Sequence, residues 1–231
     1  MKRLHFICDW HTVIAMDIPK QDSDCCNTKA GRPKAADVEA RTQELLQIAG
    51  SLFLKNGYTK TSLESIARAA HVAVRTIYVK FGGKEGLLHA VLAAKREHFF
   101  HSQPMDTDPR PFREIVDDFA RQMYCLMSSE QAVEMQRVVL TEAPTNPELG
   151  DAFWNGGPRL TREMLGRFFA RPDIRAQLRS DAPLDMLPGF LMTCIAGEQL
   201  MGLMCPRLRK PEEGLREMER RLDLFYRSVL P

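Results

Sequence analysis

Long apolar runs are missing from this 231-residue chain: no window approaches about 18 uninterrupted apolar residues, so no membrane-spanning helix is expected. Residues 4–18 follow Lys2 and Arg3 as a secretory leader would, but His5, Asp9 and His11 interrupt them and no small-residue cleavage site follows. The reading is therefore a cytoplasmic protein. Cysteine is limited to positions 8, 25, 26, 125, 194 and 205, with no C-x-x-C pair and no Cys/His spacing of a zinc site. Cys25-Cys26 in a polar tail reads as incidental, and no metal or cofactor is expected. The fingerprints G-x-S-x-G, H-E-x-x-H, the P-loop and G-x-G-x-x-G are absent, so enzyme activity is not expected. His98 and His101 share a helix face, but no third ligand accompanies them. Sustained period-two alternation is absent as well, which leaves an all-α fold.

What the chain does have is an uneven charge. Residues 29–100 hold 12 Lys and Arg against 6 Asp and Glu, whereas residues 101–231 hold 17 against 20. Positive charge gathered in one block of this size is the footprint of nucleic-acid binding, with a solvated basic face as the alternative.

Residues 1–30 carry no period and many polar breakers, and read as a disordered extension. Leu45, Ile48, Ala49, Leu52 and Phe53 recur at three and four, predicting an amphipathic helix over about 37–56 that Asn56-Gly57 ends. Thr61 and Glu64 form a capping box before a short helix to about 70. A turn at His71-Val72-Ala73 leads to a third helix near 74–80, closed by Gly82-Gly83, and a fourth begins at Lys84. Pro104, Pro109 and Pro111 mark a linker, so the expected division is 31–100 and 101–231. Helices are then expected near 110–128, 130–143, 147–170, 184–204 and 212–229.

Two short helices joined by a tight turn make a helix-turn-helix. Ala67 is small where the second helix must pack closely, and Ile77 faces back into the core. The turn between them favours a left-handed residue, usually glycine; His71 stands there, and histidine is among the side chains that tolerate positive φ. Lys84 is the oddity. A helix N-terminus prefers anions, so a cation at that end points to an anion supplied from elsewhere.

On these landmarks, Phe53, Gly57-Tyr58, Thr61-Ser62, Ile66-Ala67, Val72, Thr76-Ile77-Tyr78, Phe81 and Lys84-Glu85, residues 41–92 resemble the DNA-binding domain of TetR-type transcriptional regulators. The resemblance implies an N-terminal three-helix helix-turn-helix domain joined by a fourth helix to a C-terminal helical ligand-binding and dimerisation domain. It also implies double-stranded DNA with a palindromic operator as partner, a homodimer, and no membrane. The third helix would enter the major groove and the fourth would point its start at a phosphate, which Lys84 would help to hold. Arg75 and Thr76 are then the base readers and Val74 a contact to a thymine methyl. Tyr78, Lys80 and Thr61 are backbone contacts, and Arg32 in the basic segment 29–34 is a minor-groove arm.

Residues 137–158 resemble the AefR-like C-terminal domains of that family, which implies a small lipophilic effector. Met127, Phe153 and Trp154 are candidates to line its pocket; Glu142 and Glu198 are the buried polar candidates, each also readable as a salt-bridged surface residue. Phe190, Cys194, Met201, Met218, Leu222 and Phe225 lie on the wide apolar stripes of the last two helices and are the expected dimer contacts. The alternative is a regulator of the same fold controlled by a protein partner or by oxidation of Cys194 and Cys205.

Overall fold

The structure, a computed structural model, describes residues 35–99, 105–197, 199–208 and 210–231. The expectations for residues 1–30, the arm with Arg32, Cys25-Cys26, His101 and Glu198 lie outside those residues, as does the side chain of His98. Residues 40–231 form one compact unit. The described residues are helical with no strand.

Four helices carry the basic block: α1 (Ala35–Asn56), α2 (Leu63–Ala69), α3 (Val74–Phe81) and α4 (Lys84–Phe99). The rest holds α5 (Phe112–Ser128), α6 (Glu130–Glu142), α7 (Pro147–Gly156), α8 (Pro158–Ala170), α9 (Pro172–Arg175), α10 (Leu187–Ala196), α11 (Gln199–Met204) and α12 (Pro211–Val229), with a 3-10 turn at Pro206–Leu208. Among these helices none is long and apolar enough to cross a membrane.

Local chemistry explains the boundaries. Ser62, not Thr61, caps α2: its hydroxyl accepts from Ser65 N at 3.2 Å. The capping box expected from Thr61 and Glu64 does not form: the cap lies one residue on, and Thr61 N donates to Tyr58 O instead. Ser129 caps α6 the same way through Ala132 N at 3.1 Å. Gly82 ends α3 in the left-handed region, φ +77°. His71 takes φ +52°, the left-handed turn its position called for. Two helices expected to be continuous are split. Pro158 cannot continue the helix through Gly157, so 147–170 becomes α7 and α8. Gly197, at φ +49°, separates α10 from α11.

Two apolar clusters hold residues 40–231 together. One gathers Leu45, Ala49 and Phe53 of α1, Ile66 and Ala67 of α2, Ile77 of α3, and Leu87, Leu88 and Val91 of α4. It does not stop at the basic block, because Met135 of α6 and Leu149 and Ala152 of α7 complete it. The other joins α5, α8, α10 and α12 around a chain of aromatic contacts. Phe112 stacks on Phe168 at 6.0 Å, Phe168 meets Phe169 at 5.3 Å, and Phe225 meets Tyr226 at 5.8 Å. Tyr226 also donates to Asp117 at 2.7 Å.

His71 is exposed, so substitutions there report the backbone alone. His71→Val should destabilise the protein by about 1–2 kcal/mol, the cost of a branched side chain in the left-handed region, while His71→Gly should be neutral or stabilising. Thermal unfolding of the two variants checks this; a valine variant as stable as the parent would show that the turn does not need that conformation.

Candidate nucleic-acid interface

Helix α3 divides its side chains cleanly. Ile77 is fully buried, and Val74 and Phe81 pack half-buried against the same cluster, at spacings of three and four. The opposite face carries Arg75, Thr76, Tyr78, Val79 and Lys80, all exposed. Val74 was expected to reach a thymine methyl, but its turn toward the core removes it from that face. Val79 takes its place in geometry: it is 78% exposed, the most exposed large apolar residue described. The signal was available in the sequence, since Ile77 fixes the inner face and a residue two positions on lies roughly opposite. Tyr78 is 55% exposed. Lys80 is exposed and donates from Nζ to Thr42 Oγ1 of α1, with its ammonium 5.9 Å from the Phe81 ring centre.

Two expected backbone contacts are used inside the protein instead. Thr61 is 1% exposed, and its hydroxyl lies 2.7 Å from Gly57 O and 3.2 Å from Leu52 O. A hydroxyl spent on pinning the end of α1 is not free to meet a phosphate. Lys84 is half-buried at the start of α4, with Nζ 4.4 Å above the Tyr58 ring and 3.3 Å from Thr59 O. Its charge is opposed by Glu142, at the end of α6. Glu142 therefore gives the start of α4 an anionic neighbour from within the chain. Burial lowers the Lys84 ammonium from its ordinary value, against the pull of Glu142.

Glu142 is the residue that sequence reasoning placed only as a salt-bridged or buried candidate. One carboxylate oxygen accepts from Tyr58 N at 3.2 Å; the other accepts from Thr59 N at 2.7 Å and from Thr59 Oγ1 at 2.6 Å. Burial works to raise its carboxyl, but these three donors and Lys84 outweigh it and hold the group below the usual carboxylate range. Gly57, at φ +82°, makes the approach possible: a Cβ there would fall 2.4 Å from Glu142 Oε1. Tyr58 lies buried under Lys84, and burial with the nearby Glu148 and Glu85 pushes its phenol up to about 12.

The C-terminal candidates scatter. Met127 packs on the cluster of α5, α8, α10 and α12, whereas Phe153 packs on the cluster that includes α1–α4. Trp154 is exposed on α7 with the Arg162 guanidinium 5.4 Å from its ring. The three therefore do not line one pocket; adjacent helix positions 153 and 154 point about 100° apart. Of the expected dimer contacts, Cys194, Met218, Leu222 and Phe225 are buried inside the subunit. Phe190 and Met201 are exposed, together with Met186, Leu200, Met204 and Leu224. Burial raises the Cys194 thiol, the reverse of what a reactive cysteine needs.

Two family models match the chain. The model of bacterial regulatory proteins of the tetR family covers residues 45–91, and that of the AefR-like transcriptional repressor C-terminal domain covers residues 114–185. The transcriptional repressor ComR of Escherichia coli K12 is 24% identical over 184 residues, 76% of this chain and 83% of ComR. Among solved structures, the flavonoid-responsive regulator FrrA is 26% identical, with a TM-score of 0.64 over 84% of this chain and 98% of FrrA. NalD of Pseudomonas aeruginosa, the secondary repressor of the MexAB-OprM multidrug efflux pump, is 25% identical, with a TM-score of 0.60 over 84% of this chain and 98% of NalD.

The Glu142 contacts carry their own test. Glu142→Gln replaces an acceptor by an amide that cannot receive all three donors, and should cost about 1–2 kcal/mol for partly exposed bonds. Amide exchange at Tyr58 and Thr59 should quicken. Because folding lowers the Glu142 pKa, its stabilisation is present at neutral pH and is lost as pH falls through and below the ordinary carboxylate range. The gap between parent and variant melting temperatures should therefore close on acidification; a gap that stays constant from neutral to strongly acid pH would rule out the charge.

Proposed function

The chain belongs to the TetR family of bacterial transcriptional regulators, and on that premise we propose that it is a dimeric repressor that leaves a palindromic operator when a small lipophilic effector enters its C-terminal half. Residues 31–100 form the DNA-binding head in this reading, and residues 101–231 the effector and dimer domain. The observation that carries it is the outer face of α3, where Arg75, Thr76, Tyr78, Val79 and Lys80 stand in solvent above an inner face anchored by Ile77. A helix of this kind fits the major groove. Arg75 brings a fork suited to guanine and Val79 an apolar surface for a thymine methyl. Thr76 supports them, while Tyr78 and Lys80 take the flanking phosphates.

The dimer contact of this reading is drawn from the exposed large apolar side chains of the last three α-helices: Met186 just before α10, Phe190 on α10, Met201 on α11 and Leu224 on α12. A two-fold axis through it would set the two α3 helices one DNA turn apart, about 34–36 Å. The effector is supported by the AefR-like match and by the similarity to FrrA, a flavonoid-responsive regulator.

The DNA reading predicts two distinct losses on a palindrome from the protein's own promoter region. Arg75→Ala should relax preference at one base pair by about 1–3 kcal/mol, whereas Tyr78→Phe should weaken all sequences alike. Fluorescence anisotropy with single-base operator variants separates them, and absence of salt-sensitive binding to any duplex would overturn the function. For the dimer, Met186→Glu and Leu224→Glu change exposed residues and should leave the fold intact while yielding monomers by sedimentation; a dimer that survives both would move the interface elsewhere.

A further inference from the structure

The helices that carry α3 meet the C-terminal half through two attachments of different kinds. The first is apolar. Helix α4 lies so close to α7 that a Cβ at Gly156 would stand 3.0 Å from Leu92 Cδ1 and 3.5 Å from His89 Cα. Met135 of α6 and Leu149 and Ala152 of α7 join the same cluster. Apolar burial is non-directional, and packed helices slide on one another by small shear motions.

The second attachment is polar and lies at the 57–59 turn, ahead of α2. Glu142, the last residue of α6, accepts from Tyr58 N at 3.2 Å, Thr59 N at 2.7 Å and Thr59 Oγ1 at 2.6 Å. Lys84 Nζ, at the start of α4, donates to Thr59 O at 3.3 Å. Thr59 is thus held by its N–H, its hydroxyl and its carbonyl, from two helices. Hydrogen bonds weaken steeply as their angles open. This contact therefore fixes an orientation that the apolar one leaves free to rock.

We propose that Glu142 sets the half-site spacing that the dimer reads, as a positioning residue that touches no DNA itself. The inference rests on the dimeric repressor of the preceding section and needs no effector. In a symmetric dimer each DNA-binding head is placed relative to the two-fold axis only through its own C-terminal half, so an angle lost at the turn becomes a displacement of α3. Adding one base pair between half-sites moves the second by about 3.4 Å and turns it by about 35°. A head pinned at its turn cannot follow that change, whereas a rocking head can. Once one half-site is bound, the second is met at an effective concentration set by the stiffness of the link. A stiff link rewards one spacing; a loose link rewards several, each less.

The test uses the full chain and the palindrome from its own promoter region, with the natural spacer and with one base pair added or removed. A duplex holding a single half-site completes the set, and fluorescence anisotropy reads each affinity. The parent should favour the natural spacer by about tenfold or more, and Glu142→Gln should narrow that preference to about threefold or less. Its affinity for the single half-site should stay within about twofold of the parent, because the face of α3 is unchanged. Thr59→Val loses the hydroxyl but neither N–H, should fall between the two, and answers the same question should Glu142→Gln not fold. Glu134→Gln removes the same charge from an exposed position of α6 and should keep the parental preference, which separates positioning from simple electrostatics. A Glu142→Gln protein with the parental spacing preference would overturn the proposal. So would one whose single half-site affinity drops as far as its palindrome affinity, since Glu142 would then serve only the folding of the head. A parent that binds the palindrome without preferring any spacer overturns it as well. Loss of the repressor reading looks different: the parent binds none of the duplexes, and this inference goes with it.

Discussion

A single carboxylate holds the turn between α1 and α2 against the end of α6. Glu142 accepts from two consecutive backbone N–H groups and a hydroxyl of the 57–59 turn, and faces the ammonium of Lys84. Taking a carboxylate partly out of water is costly unless its lone pairs are met. Here they are met by donors that the turn cannot pair elsewhere, since the amides of residues 58 and 59 fall between two helices. The arrangement also constrains the turn itself. Only a residue without Cβ fits at position 57, and Thr61 closes the far side by binding the carbonyl of Gly57. The start of the helix-turn-helix is thus defined by a residue that lies far along the chain.

The apolar packing repeats that logic on a larger scale. The cluster beneath α3 runs from α1 through α4 into α6 and α7, so the buried side chains of the recognition unit do not form a private core. Close-packed interiors transmit displacements rather than absorb them. A shift of α6 or α7 would therefore carry α4 with it, and Ile77, packed into the same cluster, would carry α3. Under the proposed function this gives the effector its leverage. A ligand needs only a different affinity for two positions of α4, because the head is wedged to that helix on one side and tied to α6 by Glu142 on the other.

Much of this was legible in the sequence, for reasons that are local. The limits of α3, its glycine stop and the left-handed turn at His71 follow from backbone chemistry within a few residues. The TetR resemblance and the all-helical fold rest on spacings of the same short range. What was misread depends on choices that local chemistry leaves degenerate. Thr61 and Ser62 are both good caps, and only the burial of the first, against α1, makes the second the cap. On α12 the apolar stripe contains Met218, Leu222 and Phe225, and a stripe alone does not say whether it meets its own subunit or another. The structure turns all three inward and leaves Leu224 in solvent. Lys84 and Glu142 lie on separate helices with no pattern linking them, so their pairing belongs to tertiary structure alone.

That pairing changes how the basic block should be weighed. Residues 29–100 carry twice as many cationic as anionic side chains, yet the cations do not all face outward. Lys84 lies over Tyr58 and donates to Thr59 O, and Lys80 donates to Thr42. Lys95, exposed on α4, donates to Gln131 of α6. Several of the positive charges that mark this region as a nucleic-acid binder are therefore also the bolts that hold it to the rest of the chain. The outer face of α3 keeps two cations, Arg75 near its N-terminal end and Lys80 near its C-terminal end, beside a hydroxyl, a phenol and an exposed valine. In the proposed reading, discrimination between sequences would rest on a handful of short contacts from this face, and their placement would depend on the carboxylate of Glu142 holding the turn at the other end of α2.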